Sequence, residues 1–191
     1  MKSLRYFLEF VIIKFLFLIF DLIGFANSSR LGSFIGINLG PLFRNKKTIE
    51  QNLQLSKIGK DYNERKKIVK NMWSNYGRIF AEYPHIKNFR NDKLSKYLDI
   101  NGQEVLNKVI EKKKRVIFVS GHFNNFELMA MHIEKSGINL AAIYRPLNNF
   151  FLNKTMEDIR KSYICKKQVK KGKSGLREII KLLNDNYSIA L

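Results

Sequence analysis

A histidine and a glutamate stand five positions apart in "SGHFNNFEL" (residues 120–128), directly after the β-branched and aromatic run "RVIFVS" (115–120). Imidazole titrates near neutrality, so His122 suits the task of taking a hydroxyl proton as that oxygen attacks a carbonyl. Glu127, one turn into the following segment, has the reach to fix the ring tautomer and stabilise the imidazolium that forms. The first N–H groups of a helix starting here would point into the same space, where a developing oxyanion needs donors. The same residues have a plainer reading. Asn124-x-x-Glu127 is a capping-box pattern, with Asn124 as N-cap and Glu127 at N3. The spacing alone leaves both readings open, and they are compatible, because the turn that starts the helix would set Glu127 behind His122.

Other chemistry-bearing residues carry less. "GKS" (172–174) has the ending of a phosphate-binding loop, but Lys167 stands where the first glycine is required and the run shows no preceding strand. His122 and His132 are ten apart without a third ligand at metal spacing, so no metal site is expected, and His132 reads as structural. Cys165 is the single cysteine, which excludes an intramolecular disulfide and a Cys-rich zinc site. Lysines beside it in "YICKKQ" could depress its thiol pKa, and ordinary packing is the simpler reading.

These residues need a frame. "LDIN" (98–101), "RVIFVS" (115–120), "INLAAIY" (138–144) and "YSIAL" (187–191) read as strands. They alternate with helical stretches at 102–114, 125–137, 149–163 and 174–186. Strands of continuous apolarity alternating with helices predict an α/β fold, a mostly parallel sheet flanked by helices. In such sheets chemistry gathers at the carboxyl ends of strands, where His122 lies. Upstream the texture is helical. Residues 28–43 read as a short packed helix or loop, and 44–56 as a basic amphipathic helix. Asp61-x-x-Glu64 opens a long helix to about Tyr83, striped by Ile68, Met72, Tyr76, Ile79 and Phe80, before Pro84.

Of 191 residues, 45% are hydrophobic and 13% aromatic, which excludes a disordered chain. Against 35 Lys+Arg stand 16 Asp+Glu, a net charge of +19 that favours anionic partners: nucleic acid, an anionic bilayer, phosphorylated substrates or an acidic carrier protein. Residues 4–25 are strongly apolar but carry Glu9, Lys14 and Asp21. Together with the poor cleavage site "FANSS", this predicts an uncleaved anchor, either tilted through the bilayer or lying in its interface. If it spans, the basic remainder belongs on the cytoplasmic side. The expected organisation is an anchor over 1–27 and a domain over 28–191, helical to residue 98 and α/β from 99.

Several segments together resemble the bacterial lipid A biosynthesis acyltransferase family, within the wider glycerolipid acyltransferase-like superfamily. "GHFNNFEL" resembles its His-x4-Glu/Asp motif, "MWSNYGRIFAEYPHI" (72–86) its Trp-x-Asn-x-Gly-Arg…Glu segment, and "YRPLNNFFLNKTMEDIRKSY" (144–163) its Tyr-Arg-Pro-x-Asn-Asn block. "GLREIIKLLNDNYSIAL" is similar to the helix and strand that follow. The resemblance implies an enzyme without cofactors, on the cytoplasmic face of the bacterial inner membrane. It would move a fatty acyl chain from acyl carrier protein onto a hydroxyl of a Kdo-bearing, phosphorylated lipid A precursor. It carries over His122 as base and Glu127 as its partner, with Arg145 as a grip on an anionic group and Asn148 and Asn149 in positioning roles. For Arg78 and Glu82, which match the helical block, a direct i,i+4 ion pair is the expectation. Family members continue beyond "SIAL", so the domain is expected to be incomplete at its C-terminus. The alternatives are another glycerolipid or glycolipid acceptor, and a basic non-catalytic protein binding membrane or nucleic acid. The apolar N-terminus and the lack of any recognition motif count against nucleic acid.

Overall fold

The computed structural model describes residues 2–191. Its helices and strands, in chain order, are α1 (Lys2–Ile23), α2 (Phe25–Leu39), α3 (Lys46–Leu55), α4 (Tyr62–Glu82), α5 (Ile86–Arg90), α6 (Gln103–Lys112), β1 (Ile117–Phe118), α7 (Glu127–Lys135), β2 (Leu140–Tyr144), α8 (Phe150–Ile159), β3 (Lys167–Lys170), α9 (Lys173–Asn184) and β4 (Ser188–Ala190). They form two compact units, Met1–Ile12 with Ile86–Leu191 and Ile13–His85.

The first unit is built on a four-stranded sheet in the order β1-β4-β2-β3, all neighbours parallel. Strand alternation sets its core. Ala141, Val169 and Ile189 are buried on the sheet, and Leu182 of α9 covers them, flanked by Ile179 and Leu183. The α/β expectation holds, with a parallel sheet of four strands. "LDIN" does not pair with the sheet and lies in an irregular segment ahead of α6. β3 was illegible in the sequence, because at the sheet edge only one of its residues, Val169, is fully buried. Its neighbours are lysines and a glutamine, a composition that also discourages pairing with another chain. A strand does therefore precede "GKS", contrary to expectation, and Lys167, its first residue, still bars the phosphate-loop reading.

Asn149 caps α8, its Oδ1 accepting from the N–H groups of Phe151 and Leu152. Its Nδ2 donates to the Tyr6 carbonyl at 2.8 Å and to Glu9 Oε2 at 3.1 Å, fastening the start of α1 to the start of α8. Phe7 and Phe10 pack on Phe151 beside this fastening. Glu9 is thus tolerated in an apolar helix: hydrogen bonds first from Arg5 and then from Asn149 hold its carboxyl below the usual range. Among the described residues, no helix is long and apolar enough to cross a membrane.

The second unit centres on α2 and α4. Residues 28–43, read as a short helix or loop, are mostly the long helix α2 and the single 3-10 turn after it. Glycines let the two backbones meet. A Cβ on Gly77 would sit 2.0 Å from the Gly32 carbonyl oxygen, and one on Gly36 would sit 2.2 Å from that of Trp73. Serines line the same seam, Ser33 and Ser74 sharing a hydrogen bond of 2.7 Å. Arg78 and Glu82 are not paired directly. The Ser29 hydroxyl stands between them, accepting from Arg78 at 3.0 Å and donating to Glu82 at 2.8 Å. A helix partner thus replaces the local ion pair expected from spacing.

Gly77→Val is expected to unfold this unit's helix pair, since the obstruction is backbone and cannot rotate away. The loss should be about 3 kcal/mol or more in urea unfolding, whereas Gly24→Ala, whose Cβ meets no atom but sits on a backbone with φ 79°, should cost about 1–3 kcal/mol from backbone strain alone.

Candidate active site

The carboxyl ends of all four strands open into one cavity of about 730 Å³. Phe118, Ser120, Gly121 and His122 line it after β1, Tyr144 and Arg145 after β2, Lys170, Lys171 and Gly172 after β3, and Ala190 and Leu191 after β4. This is where an open parallel sheet places ligands, because successive loops diverge there and leave a crevice. α7 and α9 wall the sides with Met129, Ala130, Ile133, Leu176 and Ile179. The cavity is therefore apolar in its depth, with cationic groups (Arg145, Arg160, Lys170 and Lys171) on its wall.

Of the residues singled out from the sequence, His122, Glu127 and Arg145 come together on this wall, and Asn148 and Asn149 stay outside it. His122 lies in the loop between β1 and α7, exposed, its ring against that of Phe126 at 4.5 Å. Among the described residues its ring nitrogens make no hydrogen bond, which leaves them accessible from the cavity. Arg145 is exposed at the rim, and Asn148 is exposed in the turn before α8. The Asn149 amide is fully engaged in holding α1 and α8.

Glu127 is the first residue of α7 and is buried. The expected capping box does not form. Phe126 is the N-cap, no side chain caps the helix, and Asn124 instead takes a left-handed conformation with φ 51°. Asparagine tolerates that conformation better than most residues, and the reversal it makes turns the His122 loop into the helix. The Glu127 carboxylate is held by Arg160, whose Nη2 and Nε donate to Oε1 at 2.6 Å and 3.0 Å. Arg160 opens a π-turn over Arg160–Ile164 after α8 and lies over the Tyr144 ring at 5.8 Å.

Sequence reasoning missed Arg160. It lies 33 positions from Glu127, inside a helical stretch rich in charge, where no local spacing marks it. The four cationic side chains differ in station. Arg160 is mostly buried and bound to Glu127, whereas Arg145, Lys170 and Lys171 are exposed.

Three further groups are notable, of which only Tyr144 lines the cavity. The Tyr144 hydroxyl is buried near Glu157 without meeting hydrogen-bond geometry; burial first, then that carboxylate, push it up to about 12. The Asn125 side-chain amide, beside Phe126 in the histidine loop, is buried without a hydrogen-bond partner. Each such unpaired group costs roughly 1–3 kcal/mol. Cys165 is buried, its thiol donating to the Leu140 carbonyl at 3.0 Å. Burial pushes that thiol up to about 11, so the neighbouring lysines do not activate it.

Arg160→Ala strands a buried carboxylate, and an expected loss of about 3–5 kcal/mol follows. Arg160→Lys, keeping the charge without the fork, should recover part of it. Chemical denaturation of the three proteins measures both.

No curated protein matches the chain. The family model described as bacterial lipid A biosynthesis acyltransferase matches it over residues 1–191. With a His-x4-Glu pair at the carboxyl end of a parallel sheet and a match along its whole length, the chain belongs to the bacterial lipid A biosynthesis acyltransferase family and is an acyltransferase.

Proposed function

We propose that the protein transfers a fatty acyl group from acyl carrier protein to a hydroxyl of a phosphorylated, Kdo-bearing lipid A precursor, with His122 as general base. The observation that carries this reading is the single cavity that joins His122 and Glu127 to apolar walls and a cationic rim. A fatty chain needs the first, and a phosphorylated acceptor needs the second.

In this reading the acceptor oxygen attacks the thioester carbonyl as its proton passes to a His122 ring nitrogen. Glu127, pinned by Arg160, supports the imidazolium. The Leu128 and Met129 N–H groups already bond the Asn125 and Phe126 carbonyls, so the donors proposed for the oxyanion are backbone N–H groups of the loop ahead of them. Collapse of the tetrahedral intermediate breaks the C–S bond, and the departing thiolate recovers the proton from His122. A thioester is already activated, so no acyl-enzyme is required. Arg145, Lys170 and Lys171 at the rim attract phosphate, and the +19 charge attracts the acidic carrier.

The proposed location is the cytoplasmic face of the bacterial inner membrane, held there by α1. Leu4, Leu8, Val11, Phe15, Leu18 and Leu22 recur at three- and four-residue spacing along this helix, and all are exposed. An apolar stripe of that kind on a basic protein suits a helix lying in the interface rather than spanning it.

Two measurements test these points. With an acyl carrier protein thioester and a lipid A precursor, His122→Ala should lower the transfer rate by about two to four orders of magnitude. Near-normal transfer by that variant would sink the assignment. On vesicles containing anionic lipid, Leu8→Glu with Phe15→Glu should reduce the bound fraction about tenfold at constant salt, and unchanged binding would exclude α1 as the attachment.

A further inference from the structure

A second cavity, about 360 Å³, adjoins the first, bounded by the segment before α6, α6 itself, β1 and α7. Phe118, Met129 and Ile133 line both cavities, so the partition between them is one side chain thick. We infer that the second cavity receives the distal methylenes of the acyl chain and thereby sets which chain length the enzyme prefers. This rests on the acyl-transfer reading above and adds a location and a length limit to it.

The contrast between the two linings points to the occupant. The first cavity carries Arg145, Arg160, Lys170 and Lys171, and the second carries no lysine or arginine in a chain that has 35 of them. Its walls are chiefly aliphatic (Leu98, Ile100, Val105, Leu106, Val109 and Leu128), with Asp99 and Asn101 on the segment before α6, where a carboxylate would repel an anionic headgroup. Ile100 and Val105 are 47% and 61% exposed, apolar surface that an alkyl chain would cover and an anionic headgroup would not. A polar pair stands at its edge on α6 and α7, His132 Nε2 and Gln103 Oε1 at 2.7 Å. Methylenes advancing along the aliphatic wall stop gaining where they meet that hydrogen bond, which they cannot replace.

Met129 is the passage. It belongs to α7, two residues after Glu127, and is 44% exposed although it faces both cavities. An unbranched thioether changes rotamer readily, so it can admit a chain without moving the backbone. A chain whose carbonyl lies near His122 would run along Phe118 and Met129 and continue beside α6. The first cavity alone would seat a shorter chain.

The test uses the full chain and saturated acyl–acyl carrier protein donors of short, medium and long chain. Met129→Trp narrows the passage and should lower the ratio of kcat/KM for the long donor to that for the short donor by about tenfold, the scale at which pockets discriminate single methylenes. In parallel, wild-type protein is photolysed with a fatty acid bearing a diazirine at its terminal carbon, and the label is mapped by mass spectrometry. Label on the α6 segment supports the inference, whether or not the protein turns over. Absence of transfer with label on α6 would refute the reaction while leaving the tail site standing. Label confined to the first cavity, or an unchanged length ratio in a Met129→Trp protein shown by circular dichroism to be folded, overturns it. If Met129→Trp does not fold, the wild-type labelling pattern decides.

Discussion

Burying a carboxylate costs several kcal/mol unless a cation meets it with good geometry, and the Glu127–Arg160 pair is how this site meets that constraint. Three features of the cavity follow from it. It holds the first residue of α7, and so the end of the histidine loop, against the π-turn after α8. It brings Arg160 over the Tyr144 ring at the end of β2. It also fixes the chain just before Cys165 and β3, whose far end supplies the cationic Lys170 to the cavity wall. The wall is continuous because one guanidinium joins segments that follow three different strands or helices.

Local signals were legible in the sequence, and long-range ones were not. The His122–Glu127 spacing, the glycine before it and the apolar strand leading in marked a candidate pair, and both residues line the cavity beyond β1. The Tyr-Arg-Pro block likewise marked Arg145, which does reach the cavity. Arg160 escaped because its meaning depends on a partner distant in the chain. β3 escaped because an edge strand with one buried valine has no apolar run to display. Asn149 has a polar side chain in a family block, yet its amide is fully engaged inside the fold. Arg78 and Glu82 show the same limit: their spacing predicts a direct pair, and a serine from α2 intervenes.

The two units answer different packing problems. In Ile13–His85, α2 and α4 meet through glycine and serine, by backbone proximity and small hydroxyls, while Phe17 and Phe20 of α1 pack on Phe80 of α4. In the sheet unit, the interior is aliphatic where α9 covers the strands and becomes a cavity where the strands end. Cationic side chains border that second interior. Space kept open at such a boundary is what a ligand with one apolar and one anionic part requires.

The strand order has a consequence for how the molecule assembles. β4, the last of the four strands in sequence, lies between β1 and β2. β2 and β3 can pair as soon as residue 170 has emerged, but β1 has no neighbour until β4 arrives. Until then the histidine loop is tethered to an isolated two-residue strand, and the crevice lacks one of its sides. Contacts of that sequence separation form late, since loop closure must precede any stabilising pairing. The His122–Glu127 segment is thus encoded early in the sheet and acquires its setting only when the fourth strand inserts, so the crevice is among the last parts of the unit to be completed.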